Sequence, residues 1–291
     1  MIDTAAVPNT AAALFTDWDI PPIVTAELAL AALIYVCGFR RIRRTRPLQF
    51  PAWRLAAFLG GIAALFIAVA SPLDTFSESL LFMHMAQHYV LMSVAPPLIV
   101  LGAPVVPVLR GLPRIVIRLL RPLFRSQFLH AAGRFLTRPS VAWIAMNAAY
   151  IAWHIPRAYE FALSSENWHN FEHACFFFSN LLFWWPIVAP WPSRPLQSRW
   201  ILLPYLLLAD IVNTAVSALL CFSGRLLYPS YGTIPRPFGI SALNDQIAAG
   251  GFMWIFGSVV YLVPAVVIVA QLLSSGEQAS PAAPSYFPRT N

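Results

Sequence analysis

Five of the six histidines in this 291-residue chain lie near the ends of long apolar segments, and four of them form two pairs with the same spacing. His84 and His88 are one pair, and His169 and His173 are the other. Residues four positions apart share one face of a helix, so two facing helices would offer four imidazoles to a single ion. The fifth histidine, His154, ends another apolar segment and is a further candidate ligand. The spacing therefore predicts a metal centre.

The identity of the metal depends on which other donors join the imidazoles. Imidazole binds zinc, copper, iron and nickel, whereas thioether sulfur favours Cu(I). Met92 lies eight residues after His84 and extends the same predicted helix face, so copper is favoured and zinc is the main alternative. The sulfur-bearing candidate ligands are Met92, Met85 and Cys221.

Four further polar residues in the apolar segments are candidates to orient the imidazoles rather than to bind the ion. Ionisable groups inside a membrane are costly and are functional by default. Asp245 has two interpretations, because a carboxylate at the start of a helix also favours the helix N-terminus. The four candidates are Glu172, Asp245, Gln246 and Asp210.

Three other interpretations of the histidines stay open. The stretch from His169 to His173 matches H-x-x-E-H, a zinc metallohydrolase pattern, in which Glu172 or Asp245 would act as the base. Haem would take one histidine from each of two facing helices. Pairs of histidines four residues apart would crowd that geometry. In the third interpretation the protein is a metal-free assembly scaffold, and the histidines are ordinary polar groups at a membrane interface.

The composition indicates an integral membrane protein. Hydrophobic residues make up 58% of the chain and charged residues only 11%, whereas soluble domains carry about 25% charged residues. The formal net charge of +7 comes from 19 basic residues, all of them arginine. In so apolar a chain this charge indicates membrane topology rather than nucleic-acid binding. Three widely spaced cysteines predict no disulfide framework.

Seven segments reach the length of about 20 apolar residues that a membrane-spanning helix needs. Arginine is concentrated in the segments after the first and third of them, so the positive-inside rule predicts an outer N-terminus and a cytoplasmic C-terminus. The predicted fold is therefore an all-α, seven-transmembrane-helix bundle with the five candidate histidines toward its outer side. The predicted spans are 20–38, 55–72, 79–101, 139–155, 168–189, 199–221 and 246–272.

Three stretches outside the spans have their own predictions. Residues 1–19 are predicted to be an extracytoplasmic tail, and residues 273–291, rich in Ser, Ala and Pro, a disordered cytoplasmic tail. Within the 20–272 membrane domain, the segment 110–126 predicts a basic amphipathic helix against anionic lipid. Its arginines recur at helical spacing: Arg110, Arg114, Arg118, Arg121 and Arg125.

Five stretches resemble the CtaG-type cytochrome c oxidase assembly factors of bacteria, and they occur in the family's order. They are HMAQHYVLMSVAPPLIVLGAP (84–104), WHIPRAYEFAL (153–163), WHNFEHACFFFSNLLFWWPIV (168–188), LYPSYG (227–232) and DQIAAGGFMW (245–254). The resemblance implies a non-enzymatic, multi-pass protein of the bacterial inner membrane that helps to build copper-containing terminal oxidases. It implies delivery of copper to the outward-facing copper centre, with an oxidase subunit or a periplasmic copper carrier as partner. The family positions that carry over are His84, His88, His154, His169, His173, Asp245 and Gln246.

Overall fold

The computed structural model describes residues 18–193 and 198–278, and within these ranges it contains helices and no strand. A helix overlaps each of the seven segments predicted as spans. The long helices are α1 (Pro22–Arg43), α2 (Ala52–Ala70), α4 (Leu81–Leu101), α8 (Pro139–His154), α10 (Glu166–Val188), α11 (Leu202–Phe222) and α13 (Ala242–Gln278). The shorter helices are α3 (Pro72–Ser77), α5 (Val105–Gly111), α6 (Arg114–Arg125), α7 (Gln127–Leu136), α9 (Pro156–Leu163) and α12 (Ser230–Thr233).

Four helices of the described chain are long and apolar enough to cross a membrane: α1, α2, α11 with the turn before it, and α13. A fifth is added when α4 and α5, bent by 71° at a short break, are taken as one span. The protein is therefore a helical membrane protein with four to five candidate spans. Helix α8 has only 16 residues, and α10 carries two glutamates and two histidines in its first turns, which lowers its mean hydropathy.

The helix ends follow from local sequence signals. Ser165 begins α10, because its side-chain oxygen accepts a hydrogen bond from the backbone N–H of Trp168.

Helix α4 contains a π-helical turn, Val90–Val94. Pro96 and Pro97 follow this turn and lack the N–H groups that would bond to the carbonyls one turn back, so the regular α-helical ladder is interrupted there.

Two hydrophobic cores share α4. The larger core contains buried residues of α4, α8, α10, α11 and α13. The smaller core joins α1, α2 and α5 to the last turns of α4. Helices α1 and α5 approach so closely that a Cβ atom on Gly38 would lie 1.7 Å from the carbonyl oxygen of Pro107. Glycine is therefore required at this crossing, as it is at Gly111 on the facing helix.

The boundaries differ from the predicted ones at several points. The predicted basic segment 110–126 is divided, because Arg110 lies in the last turn of α5 and the other four arginines lie on α6. Helix α13 continues to Gln278, past the predicted end of the last span at 272. Residues 1–17 of the predicted N-terminal tail and 279–291 of the predicted C-terminal tail lie outside the described residues.

Candidate metal centre

Four histidines converge at one point between α4 and α10. One ligand atom from each of His84, His88, His169 and His173 lies within 4.8 Å of the others. Metal–nitrogen bonds of about 2.0–2.1 Å place tetrahedral ligand atoms roughly 3.4 Å apart. Small side-chain rotations would therefore bring one ring nitrogen of each histidine to the spacing that a single ion requires. The two histidine pairs predicted from the sequence are thus brought together.

The four rings form a quadrilateral with two edges along the helices and two edges between them. Along the helices, the ring centroids of His84 and His88 are 4.3 Å apart and those of His169 and His173 are 4.2 Å apart. Between the helices, the centroid distances are 5.1 Å for His84–His169 and 5.2 Å for His88–His173. The centroid distances between the helices are only slightly longer than those along each helix, so the two helices contribute two rings each to one cluster.

Each of the four histidines has at least one ring nitrogen without a hydrogen-bond partner. The Nε2 atoms of His84, His88, His169 and His173 are buried and unpartnered, and so is Nδ1 of His88. Burying a polar atom without a partner costs about 1–3 kcal/mol. Unpartnered nitrogens on all four rings are therefore expensive for a purely structural cluster, whereas a bound metal ion would satisfy one nitrogen of each ring.

A tyrosine orients one of these imidazoles. The hydroxyl of Tyr231 donates a hydrogen bond to the carbonyl oxygen of Ser77 at 2.9 Å and lies 3.2 Å from Nδ1 of His84. Because its only proton is directed to Ser77, this hydroxyl accepts from Nδ1–H of His84. Nε2 of His84 is then the unprotonated nitrogen, which is the form that binds a metal.

Tyr231 belongs to a cluster of three buried tyrosines beside the histidines. Its hydroxyl lies 3.1 Å from that of Tyr159, and the rings of Tyr159 and Tyr228 stack with centroids 4.0 Å apart. Tyr228 donates to the backbone carbonyl of His154 at 3.0 Å. Burial raises the pKa of Tyr228 and Tyr231 far above the usual range. Both phenols therefore remain protonated hydrogen-bond donors.

His154 lies beside the four-histidine group and is not part of it. Its Nδ1 atom is 2.7 Å from the carbonyl oxygen of Tyr150, and its Nε2 atom is buried without a partner. The ligand role predicted for His154 stays a prediction.

The sulfur-bearing candidates lie in packed positions. Met85 and Met92 are buried in the larger core. The thiol of Cys221 donates to the carbonyl oxygen of Ile247 at 3.6 Å, between α11 and α13. In the described part of the chain, the group of converging ligand atoms contains four histidines and no cysteine.

Asp245 caps a helix, and the helix is α4 rather than its own. Its carboxylate accepts hydrogen bonds from the backbone N–H groups of Leu81 at 2.8 Å and Phe82 at 3.0 Å. It also pairs with Arg236 at 3.1 Å, and Arg236 donates to the carbonyl oxygen of Tyr231. Asp245 therefore fixes the start of the helix that carries His84 and, through Arg236, the loop that carries Tyr231.

The other three polar candidates have different surroundings. Glu172 is fully buried, and neither of its carboxylate oxygens has a hydrogen-bond partner. Gln246 accepts from the N–H of Leu227 at 2.7 Å and donates to the carbonyl oxygen of Arg225 at 3.0 Å, so it holds the loop after α11. Asp210 accepts from the hydroxyl of Ser258 at 3.0 Å, in a contact between α11 and α13.

The sequence interpretation missed the residues that support the histidines from the loop between α11 and α13. Tyr228, Tyr231 and Arg236 lie outside every apolar segment, so neither helical spacing nor hydropathy marks them. A signal was present in LYPSYG (227–232), one of the stretches on which the family resemblance rests. A fourth missed residue is Gln87, which donates to the carbonyl oxygen of Ala68 at 2.9 Å and to the side chain of Asp74.

The fold and this site define a helical membrane protein with a four-histidine cluster between α4 and α10. The cytochrome c oxidase caa3 assembly factor family matches residues 33–275, and the chain belongs to this family. Uncharacterised proteins of Mycobacterium bovis and Mycobacterium tuberculosis are each 30% identical over 280 residues, which is 91% of this chain and 40% of the relative. A Mycobacterium leprae protein is 26% identical with the same coverage. The chain thus spans less than half the length of these relatives. No solved structure gives a significant match.

Proposed function

We propose that this assembly factor holds one copper ion as Cu(I) and passes it to the outward-facing copper centre of a terminal oxidase. The observation that carries the proposal is the convergence of four imidazoles whose buried Nε2 atoms have no partner. Membership of the oxidase assembly family supports oxidase assembly as the process in which the ion is used. The copper ion is cargo in this proposal, and the protein catalyses no reaction.

The proposal includes a seven-span topology with the N-terminus outside and the C-terminus in the cytoplasm of a bacterial inner membrane. The seven long helices support it, as does the concentration of arginine at the end of α1 and on α5 and α6. In this topology His84 and His169 lie toward the outer side, because they belong to the first turns of α4 and α10. The oxidase centre that receives the copper would face the same side.

The surroundings of the histidines suit a temporary holder better than a permanent site. His84 and His88 are almost completely buried, whereas His169 and His173 are only partly buried. The ion would therefore enter and leave past the α10 pair. The group contains no thiolate, the softest and strongest protein ligand for Cu(I), so a partner that presents thiolates can withdraw the ion.

Metal content tests the proposal. Protein purified in detergent is loaded under reducing conditions with copper and zinc in competition, and metals are measured by mass spectrometry. We expect about one copper per chain, as the number of converging ligands implies, and loss of that copper from the His84→Ala/His88→Ala variant. The matched control is His130→Ala, because His130 is exposed on α7 and bonds only locally to Ser126. Copper retained by the double variant would overturn the proposal.

A cellular measurement tests delivery separately from binding. Cells that express the His84→Ala/His88→Ala variant at the wild-type level should assemble an oxidase with reduced copper content. Unchanged oxidase copper in these cells would refute delivery through this centre, even if the purified protein binds copper.

The second candidate function is a membrane-embedded zinc hydrolase, and the unpartnered carboxylate of Glu172 favours it. A carboxylate beside a metal-bound water can act as a general base. Retention of zinc instead of copper, together with hydrolysis that Glu172→Gln abolishes while the metal stays bound, would establish this function. If neither metal binds, an absorption spectrum of the same sample separates a haem protein from a metal-free scaffold.

A further inference from the structure

The helices α6 and α7 stand apart from both hydrophobic cores. Neither of them contains a buried residue. Their large apolar side chains are instead exposed, among them Leu119 at 72% and Phe128 at 79% of full exposure. The other exposed apolar residues are Ile115, Leu123, Phe124, Leu129, Phe135 and Leu136. Contiguous exposed apolar surface of this kind marks a contact face for a membrane or a partner.

The basic and apolar residues of α6 lie on opposite faces. The positions 114, 118, 121 and 125 are separated by steps of four, three and four residues, so the four arginines share one narrow face. Ile115, Leu119 and Leu123 lie on the other side of the same helix. No acidic residue occurs between Glu78 and Glu160, so no nearby carboxylate in the sequence neutralises these arginines.

Short connections hold both helices at the level of the membrane surface. Two residues separate Gly111, the end of α5, from the start of α6, and two separate Leu136 from the start of α8. Two residues span at most about 7 Å. Helix α5 packs on α1, one of the membrane-spanning helices, at its arginine-rich end. The apolar faces of α6 and α7 therefore cannot reach far from the bilayer.

We propose that α6 and α7 lie in the plane of the cytoplasmic membrane surface, with the apolar face in the lipid and the arginines of α6 on anionic headgroups. An amphipathic helix of this type buries its apolar face about 5–10 Å into the boundary between headgroups and acyl chains. At that depth the long arginine side chains reach the phosphate layer. Each arginine adds to the electrostatic attraction toward an anionic surface. The partner is thus an anionic lipid surface, and this role is independent of metal binding.

Accessibility of single labels in nanodiscs tests this placement. The full-length protein carries one dye, at Leu119→Cys on the apolar face or at Arg118→Cys on the basic face. The native cysteines replaced by serine in this background are Cys37, Cys175 and Cys221. In phosphatidylglycerol nanodiscs we expect acrylamide to quench the dye at position 118 at least about threefold more than the dye at position 119, because only the latter is in lipid.

The role of the arginines is tested by changing the lipid. In phosphatidylcholine nanodiscs the dye at position 119 should become more accessible, and replacement of the four arginines of α6 by glutamine should remove this lipid dependence. Equal quenching at both positions in both lipids would overturn the proposal. Protection of position 119 only after purified oxidase is added would also overturn it, in favour of a protein-docking surface.

Discussion

The hydrogen bond between Tyr231 and His84 gives the sharpest test of the metal centre. The hydroxyl of Tyr231 accepts a hydrogen bond from Nδ1–H of His84 at 3.2 Å. Nε2 of His84 is therefore unprotonated and available as a metal ligand. In Tyr231→Phe the ring remains and the acceptor is lost. Removing such a partner of a metal-binding imidazole costs about 10–100-fold in metal affinity. This loss corresponds to about 1.4–2.7 kcal/mol.

The matched control is Tyr228→Phe. Tyr228 lies in the same loop, is equally buried and donates to the backbone carbonyl of His154, but it makes no hydrogen bond to an imidazole. Tyr228→Phe loses one buried hydrogen bond, whereas Tyr231→Phe loses the contacts of its hydroxyl with Ser77, His84 and Tyr159, so each variant should lose at least about 1 kcal/mol of folding stability and Tyr231→Phe the more. Only Tyr231→Phe should lose metal affinity.

The assay is a competition titration of the detergent-solubilised proteins against a chromophoric Cu(I) chelator, without oxygen. Thermal unfolding of the metal-free proteins is measured in parallel and reports the shared loss of stability. Equal copper affinity in Tyr231→Phe and the wild type would refute the assigned orientation of His84. An equal loss in both variants would show that the loop acts on the centre only through its general stability.

Three further predictions concern packing, capping and pH. Gly38→Ala should separate α1 from α5 and lower the unfolding temperature by several degrees, because a Cβ would lie 1.7 Å from the carbonyl oxygen of Pro107. The control is Gly133→Ala, because a Cβ at position 133 would meet open space. Asp245→Asn should cost about 3–5 kcal/mol of stability and also weaken metal binding, because it leaves the largely buried guanidinium of Arg236 without its carboxylate partner and loosens the start of α4; unchanged stability by thermal unfolding would contradict this. Burial raises the pKa of Asp74 from 3.8 to about 6. Its protonated form therefore stabilises the fold below about pH 4, and this contribution is lost as pH rises through about 6. Asp74→Asn should thus raise the unfolding temperature at about pH 7.5 and leave it nearly unchanged at about pH 4, and a gain of the same size at both values would refute the assignment.

Helix positions and the two histidine pairs were predictable because hydropathy and helical spacing encode them directly. Met92 shows where this reasoning ends. In an uninterrupted helix it would continue the face of His84 and His88, but the π-helical turn Val90–Val94 adds a residue to the turn. A π turn rotates everything after it by about 100° relative to an α-helix, and Met92 lies inside this turn, so sequence spacing alone does not fix the face of α4 on which Met92 lies.

Asp245 and Tyr231 show a second limit. Sequence correctly indicates that a carboxylate at position 245 suits a helix N-terminus, but the N-terminus is that of α4, 164 positions away in the chain. The contact between Tyr231 and His84 spans 147 positions. Both contacts depend on how helices and loops pack, and a single sequence carries no local pattern for such pairs.

The fully buried carboxylate of Glu172 has a consequence for which ions the centre can hold. The cost of moving an ion from water into a medium of low polarity grows with the square of its charge. Four neutral imidazoles contribute no charge, and a buried carboxyl group without partners keeps its proton until a cation replaces it. Exchange of that proton for a monovalent cation leaves the site neutral, whereas a divalent cation leaves one excess positive charge. The same four nitrogens would then discriminate by valence, favouring Cu(I) over Zn(II) and Cu(II) without any difference in ligand geometry. In Glu172→Gln this preference should be lost, and competition between Cu(I) and Zn(II) for the purified variant would measure the loss.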